Sequence, residues 1–377
     1  MRGPEEELIN IIKGSGIDFT SSLPCEKIKG LLNRIGKNFF HVPLTREEEG
    51  VGISAGAALA GKRPAMFVQS SGIGNMINAL LSLTVFYELP LAIFVSQRGI
   101  YREKILAQLA MGQRLPDILR AAGISFSTIS SRKDFKIIEK KLPGVYSNNL
   151  IHVFLLSPAV FKQTRQVRPV LSPRRILPDT GHDKRRTERL RPWLRRFDIL
   201  KILTPHLDSK VVICNLGIPS KELFHLAHQP SNFYMLGSMG MATPVGLGVS
   251  LSNDKDVIVI DGDGSLLMNP GTLATVAHMS PRNLTILAID NRSYGSTGGQ
   301  PSLTSSCVDL EAVAQGFGIR NTEKAADRNQ LLKVVKKYRH GPAFIHILAT
   351  AGNEPVANIT LNHINIKKQF QDFLKLH

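Results

Sequence analysis

Cysteine is scarce in this sequence: Cys25, Cys214 and Cys307 are the only three in 377 residues, far apart and without CxxC or zinc-ligand spacing. That excludes a disulfide-built scaffold and a zinc finger, and makes a reducing compartment, the cytoplasm, the expectation. Long apolar runs are missing as well. The longest candidate, around Leu80 to Val95, is cut by Glu88 and Pro90, so no membrane span is expected. The opening MRGPEEELIN is acidic and polar and does not read as a secretory signal. Acidic residues are in deficit, with 30 Asp and Glu against 47 Lys and Arg and a net charge of +17. The excess is local: residues 162–197 hold twelve Lys or Arg and three Asp or Glu, a net +9. A run of that kind reads as a solvated connector rather than a nucleic-acid surface. What remains is a general attraction for anionic substrates.

With 43% hydrophobic residues the chain can bury two cores of ordinary size. Residues 1–160 alternate helix and strand signals. Thr45 and Glu48 fit a capping box before a Gly/Ala-rich helix, and Pro64 to Gln69 and Leu91 to Ser96 are apolar strands. Asp18 to Pro24 reads as a polar turn, Ser70 to Asn75 as a loop of small residues, and Ile151 to Leu156 as the strand that closes the sheet. Residues 161–197 carry Pro169, Pro173, Pro178 and Pro192 among the basic charges and read as a linker. From residue 198 to 377 the alternation restarts. The expected fold class is α/β, with two domains, each a parallel sheet flanked by helices.

The most specific chemistry lies between Val257 and Gly299. An apolar run ends at Asp261-Gly262-Asp263-Gly264-Ser265, and a second, Leu284 to Ile289, ends at Asp290-Asn291. Both breaks fall at the carboxyl ends of parallel strands, where open α/β sheets place ligands. Gly262 and Gly264 let the backbone approach a phosphate, and a helix begun just afterwards offers free N–H groups. Asp263 adds a carboxylate oxygen and Asn291 an amide oxygen, hard donors suited to Mg²⁺ together with diphosphate oxygens.

Gly262-Asp263-Gly264-Ser265 with Asn291 28 positions after Asp263 resembles the thiamine-diphosphate signature. The two halves resemble the pyrimidine-binding (1–160) and diphosphate-binding (198–377) domains of thiamine-diphosphate-dependent 2-oxo acid decarboxylases. Three strings carry this: REEEGVGISAGAALAGKRPAMFVQSSGIGN, RGIYREKI and GDGSLLMNPGTLATVAHMSPRNLTILAIDNRSYGSTGGQ. They look most like members that act on 2-oxo acids bearing a sulfonate or a phosphonate, made elsewhere as two subunits and here fused. The resemblance implies thiamine diphosphate and Mg²⁺ as cofactors, with Asp263, the Asn291 side chain and the Ser293 carbonyl on the metal. It implies Gly237, Ser238, Met239, Gly262, Gly264, Ser265, Gly295 and Ser296 as further cofactor contacts, Met239 being the apolar wedge that bends the cofactor. One departure stands out: many members have Asn where this chain has Asp290.

The family also needs a glutamate beside the aminopyrimidine ring, and Glu47, Glu48 and Glu49 stand together. Gly56 of the Ala55-Gly56 pair lies nine positions after Glu47, the family's spacing, so Glu47 is the expected catalytic residue, Glu48 serves the cap and Glu49 faces solvent. Gln69, Ser70, Ser71 and Asn75 resemble the substrate-side loop, and Arg98, Tyr101 and Arg102 are candidates for neutralising the substrate's anion. Among the histidines, His41 lies one strand before Glu47, while His225, His228 and His278 fit helix faces. The resemblance implies a homo-oligomer with active sites between domains of different chains. The reading from another class is a non-catalytic anion- or nucleic-acid-binding protein on this fold, which would have no use for Glu47, Asp263 and Asn291.

Overall fold

The computed structural model describes residues 3–161, 190–337 and 341–376. The chain divides into two compact units, the division falling between residues 173 and 174. The linker expected at 161–197 therefore lies for the most part, at 162–189, outside the described residues.

In the first unit six parallel strands, β1 (Phe19–Ser22), β2 (Phe40–Pro43), β3 (Pro64–Gln69), β4 (Leu91–Ser96), β5 (Ser125–Ile129) and β6 (Ile151–Leu156), form a sheet in the order β2-β1-β3-β4-β6-β5. Every residue of β4 and β6 is buried, which is why they read as mostly apolar runs rather than alternations. Phe67, Phe94 and Phe154 stack across β3, β4 and β6, with ring centroids 4.9 and 5.1 Å apart. Helices α1 (Pro4–Gly14), α2 (Lys29–Asn38) and α6 (Phe135–Ser147) cover that face with Leu8, Ile12, Leu31, Ile35, Phe135 and Leu142. The remaining helices are α3 (Glu47–Leu59), α4 (Ser70–Ala79) and α5 (Ala107–Ala121). In α3 every residue but Glu48 is buried, and a Cβ on Gly50 would come within 2.6 Å of Leu44 and Met66.

Three expectations are corrected here. Asp18 to Pro24 is no turn: Phe19–Ser22 is a buried interior strand. Two of its three hydroxyls are met laterally, Thr20 Oγ1 and Ser22 Oγ lying 3.0 and 3.1 Å from the ring nitrogens of His41, so a polar sequence can sit inside a sheet. Ser70 to Asn75 is not a loop but the start of α4. Ile151–Leu156 is interior, and the edge is β5, whose Ser125 and Ser127 hydroxyls contact His152 at 3.1 and 2.9 Å.

The second unit holds β7 (Val211–Cys214), β8 (Asn232–Tyr234), β9 (Val257–Gly262), β10 (Leu284–Asp290), β13 (Asn321–Ala325) and β14 (Ala343–Leu348), with a short antiparallel pair, β11 (Ser293–Tyr294) and β12 (Gln300–Pro301), beside them. Read from β8, the six-stranded order is β8-β7-β9-β10-β14-β13, the same connectivity as in the first unit. Its helices are α7 (Arg196–Leu203), α8 (Ile218–Ala227), α9 (Ala242–Ser250), α10 (Asp263–Met268), α11 (Thr272–Met279), α12 (Leu310–Gly316), α13 (Arg328–Lys337) and α14 (His363–Lys375). The chain leaves β7 for β8 on one side and returns to β9 on the other. That reversal opens a crevice at the carboxyl ends of β7 and β9. Among the described residues no helix is long and apolar enough to cross a membrane.

Candidate active site

The crevice of the second unit is a cavity whose walls include Asn215 after β7, Gly262 ending β9 and Asp263 after it, Asn291 after β10, Ser293 of β11, and Met239. Gly264, Ser265, Gly295 and Ser296 line it too, so nine of the eleven cofactor residues expected from the sequence come together. The other two, Gly237 and Ser238, belong to the turn that leads to Met239. Ser238 has φ +59° and Gly240 φ +87°, and the Gly240 N–H donates to Ser265 Oγ at 3.1 Å, which fixes the turn against α10.

Glycine is required at 264, where a Cβ would sit 2.2 Å from the Tyr294 ring. Asp263 is buried, and its Oδ2 accepts from Ser302 Oγ and, at 3.3 Å, from Thr304 Oγ1. Burial pushes its pKa up and the neighbouring Asp290 charge adds to this, against the Ser302 hydrogen bond. A carboxylate short of hydration, with Asn291 lining the same cavity, is a donor set that a hard divalent cation and a diphosphate would complete. The residues present fit that pair.

Asp290, one residue before Asn291, is buried and accepts from Thr304 Oγ1 at 2.7 Å and from the Arg292 N–H at 3.0 Å, while its Oδ2 lies 2.9 Å from His346 Nε2. Burial opposes its charge, yet His346 holds its pKa below the usual range. Burial likewise opposes the His346 charge, but hydrogen bonds with Asp290 and Asp309 raise its pKa. On another wall, Arg196 makes a bidentate pair with Glu222 at 2.7 and 3.0 Å and donates to Asn353 at 2.9 Å. Asn353 in turn donates to the Gly295 carbonyl at 2.9 Å, tying the cavity loop to α7 and α8. Sequence reading missed Arg196, Asn215, Tyr294, Ser302, Thr304 and His346. Only His346 carried a signal, as the one polar side chain in the strand AFIHIL.

In the first unit Glu47 opens α3, buried at 4% exposure, and its Oε2 accepts from Asn75 Nδ2 at 3.0 Å. Its carboxylate lies against Gly72, where a Cβ would come 2.4 Å from Oε1. Its neighbours depart from the roles expected of them. Glu49, fully buried, caps the helix by accepting from Thr45 Oγ1 at 2.8 Å and the Arg46 N–H at 3.4 Å, and Glu48 pairs with Arg46 at 3.5 Å. The cap falls to Glu49 because the helix starts one residue later than the Thr45–Glu48 spacing assumes.

Of the substrate candidates, Asn75 reaches Glu47, and Ser70 Oγ accepts from the Arg98 N–H at 3.1 Å. Gln69 ends β3 and Ser71 lies in the first turn of α4. The Arg98 guanidinium is buried and closed in a bidentate pair with Glu103 at 2.6 and 2.8 Å, which lowers the Glu103 pKa to about 2. Arg102, exposed at φ +43°, lies over the Tyr101 ring at 5.5 Å. Of the histidines, His41 is tied to β1, and burial lowers its pKa to about 4.

Residues 218–347 match the family described as thiamine pyrophosphate enzyme, C-terminal TPP binding domain. A benzoylformate decarboxylase structure from Polynucleobacter necessarius superposes with a TM-score of 0.72 over 94% of this chain and 100% of that one, at 13% identity, which shows the shared fold. Fold and matched domain define a thiamine-pyrophosphate-binding enzyme. A sulfopyruvate decarboxylase of Methanosarcina acetivorans is 40% identical over 98% of this chain and 97% of its own. The alpha and beta subunits of the Methanococcus maripaludis enzyme of that name match separate halves, at 42% over 36% of this chain (82% of that one) and 43% over 48% (98% of that one). A phosphonopyruvate decarboxylase of Streptomyces viridochromogenes is 30% identical over 92% of this chain and 88% of its own. The chain belongs to the sulfopyruvate decarboxylase family of thiamine-pyrophosphate enzymes, with both subunits joined in one polypeptide.

Proposed function

We propose that the protein converts 3-sulfopyruvate and a proton to sulfoacetaldehyde and CO₂, with thiamine diphosphate and Mg²⁺, as a step in coenzyme M biosynthesis. One observation carries the reading: Asp263 and Asn291 line one cavity at the crevice of a matched thiamine-pyrophosphate domain, in a chain 40% identical end to end to a sulfopyruvate decarboxylase. When bound, the cofactor supplies an acidic carbon that adds to a 2-oxo group and takes up the electrons of the breaking C–C bond.

The chain's own residues do the rest. Asp263, Asn291 and the Ser293 carbonyl hold the cation, and Gly262 and Gly264 bring the backbone close to the diphosphate. Met239 offers an apolar wall. Glu47 holds the proton exchanged with the aminopyrimidine ring, and Asn75 fixes its carboxyl by donating to Oε2. Because Arg98 is closed on Glu103, Arg102 and Tyr101 are the remaining candidates on that segment for the sulfonate. We place the enzyme in the cytoplasm, a setting supported by its three free cysteines, and as a homo-oligomer, dimer or larger, whose active sites combine units of different chains.

The test is direct. Thiamine diphosphate with Mg²⁺ should raise the melting temperature, and CO₂ release from 3-sulfopyruvate should exceed that from phosphonopyruvate. Absence of a thermal shift removes the cofactor assignment, and a preference for phosphonopyruvate moves the enzyme to the neighbouring activity.

A further inference from the structure

A line of buried polar groups runs from Asp263 into the second unit. Ser302 Oγ and Thr304 Oγ1 both reach Asp263 Oδ2, and the two hydroxyls lie 2.9 Å from each other. Thr304 Oγ1 also reaches Asp290 Oδ1 at 2.7 Å. Each hydroxyl has one proton. Ser302 donates to Asp263, and the Thr304 proton is shared between Asp290 Oδ1 at 2.7 Å and Asp263 Oδ2 at 3.3 Å, so Thr304 bridges the two carboxylates. The opposite oxygen of Asp290 meets His346 Nε2 at 2.9 Å, His346 Nδ1 lies 3.5 Å from Asp309, and Asp309 pairs with Lys324 Nζ.

Placing carboxylates, an imidazole and an ammonium in a core is not explained by stability, since apolar residues of similar volume hold a core as well or better. The first unit provides the comparison. On β4 and β6, which hold the places of β10 and β14 in the first sheet, Ser96 ends β4 and Phe154 lies in the phenylalanine stack. The first unit's own buried ion pair, Arg98 with Glu103, follows β4 and leads to no carboxylate after that unit's third strand. The line occurs in the unit whose third strand leads into Asp263.

We propose that Thr304, Asp290 and His346 are positioning residues that hold the Asp263 carboxylate in its cation-binding orientation, Thr304 bridging Asp290 and Asp263 beside Ser302. This rests on the Asp263–Asn291 cation assignment above. A carboxylate at 290 accepts from both Thr304 and an imidazole N–H, one on each oxygen, which an asparagine could not do.

The experiment titrates Mg²⁺ into the full chain saturated with thiamine diphosphate and follows the heat of binding. Thr304→Val removes the hydroxyl and nearly keeps the shape, while Thr304→Ser keeps the hydroxyl. His346→Leu removes the ring N–H, while His346→Gln retains a donor. The Val and Leu variants should bind Mg²⁺ roughly 10–100-fold more weakly, and the Ser and Gln variants should recover most of the loss. A purely structural role would lower the melting temperature of the cofactor-free protein and leave Mg²⁺ affinity of the folded protein unchanged, and that result overturns the proposal. If the Leu variant does not fold, the Thr304 pair decides alone. Failure of the unaltered chain to bind Mg²⁺ and cofactor would instead refute the cation assignment, a separate outcome.

Discussion

The two units build one sheet twice, strand for strand, and put different chemistry at its end. After the third strand the first unit enters a helix with Ser70, whose hydroxyl accepts from a backbone N–H, and the second enters with Asp263. After the second strand the first unit buries Glu47 at the start of α3, whereas the second runs through the Gly237–Gly240 turn into the neutral helix α9. Each unit thus starts a helix with a buried acid, after the second strand in one and after the third in the other. The frame itself assigns no chemistry; the residues at the strand ends do.

Exchanging the acids for amides tests that division most severely. Glu47→Gln should leave the cofactor-induced rise in melting temperature intact and reduce turnover by roughly 10²–10⁴-fold. Unchanged turnover would remove Glu47 from the reaction. Asp263→Asn should do the converse, abolishing the Mg²⁺-dependent thermal shift, and a retained shift would break the comparison.

Next in size is the first unit's buried pair. Arg98→Met strands the Glu103 carboxylate, which is 2% exposed, and should lower stability by about 3–5 kcal/mol in urea unfolding. A change near zero would mean that Glu103 has reached water and that Arg98 is available to an anion.

Acid should then separate the units. Burial lowers the pKa of His41 and His152 in the first unit from 6.5 to about 4, with Lys141 adding to the effect at His152. Unfolded, both rings take up protons that the folded unit refuses. Stability present above pH 6.5 is therefore lost progressively as pH falls toward 4. The raised pKa of His346 acts in the opposite sense, its contribution being full below 6.5 and lost as pH rises through the folded value. Hydrogen exchange resolved by unit should show the first unit opening earlier between pH 6.5 and 4. Simultaneous opening would contradict the assignment.

The smallest effects come from the paired glycines. Gly72→Ala would crowd Glu47 and Gly264→Ala would crowd Tyr294, each destabilising by about 1–3 kcal/mol. The first should reduce turnover with cofactor affinity kept, and the second should weaken cofactor binding.

The sequence was legible where one residue type serves one purpose. Gly262-Asp263-Gly264 and Asn291 could be located because the site needs a close backbone approach and two hard oxygens at neighbouring strand ends. The runs of β4 and β6 could be located because both faces are buried. Legibility failed where polar groups satisfy one another laterally. The strand FTSS, bonded through Thr20 and Ser22 to His41, has the composition of a turn, and β5 hides its serines on His152 in the same way. The capping role fell to Glu49 rather than Glu48 because helix register is settled by packing, which no local spacing reveals. His346 gained its meaning from Asp290, 56 residues earlier in the chain.

The burial of α3 has a consequence for how this gene can vary. With twelve of its thirteen residues enclosed and Gly50 wedged between Leu44 and Met66, the helix leaves almost no position where a lineage can accept a substitution unnoticed. A saturation library across residues 47–59 should return survivors chiefly at Glu48, and that stretch offers a sharper probe for finding distant kin than the charged surface around it.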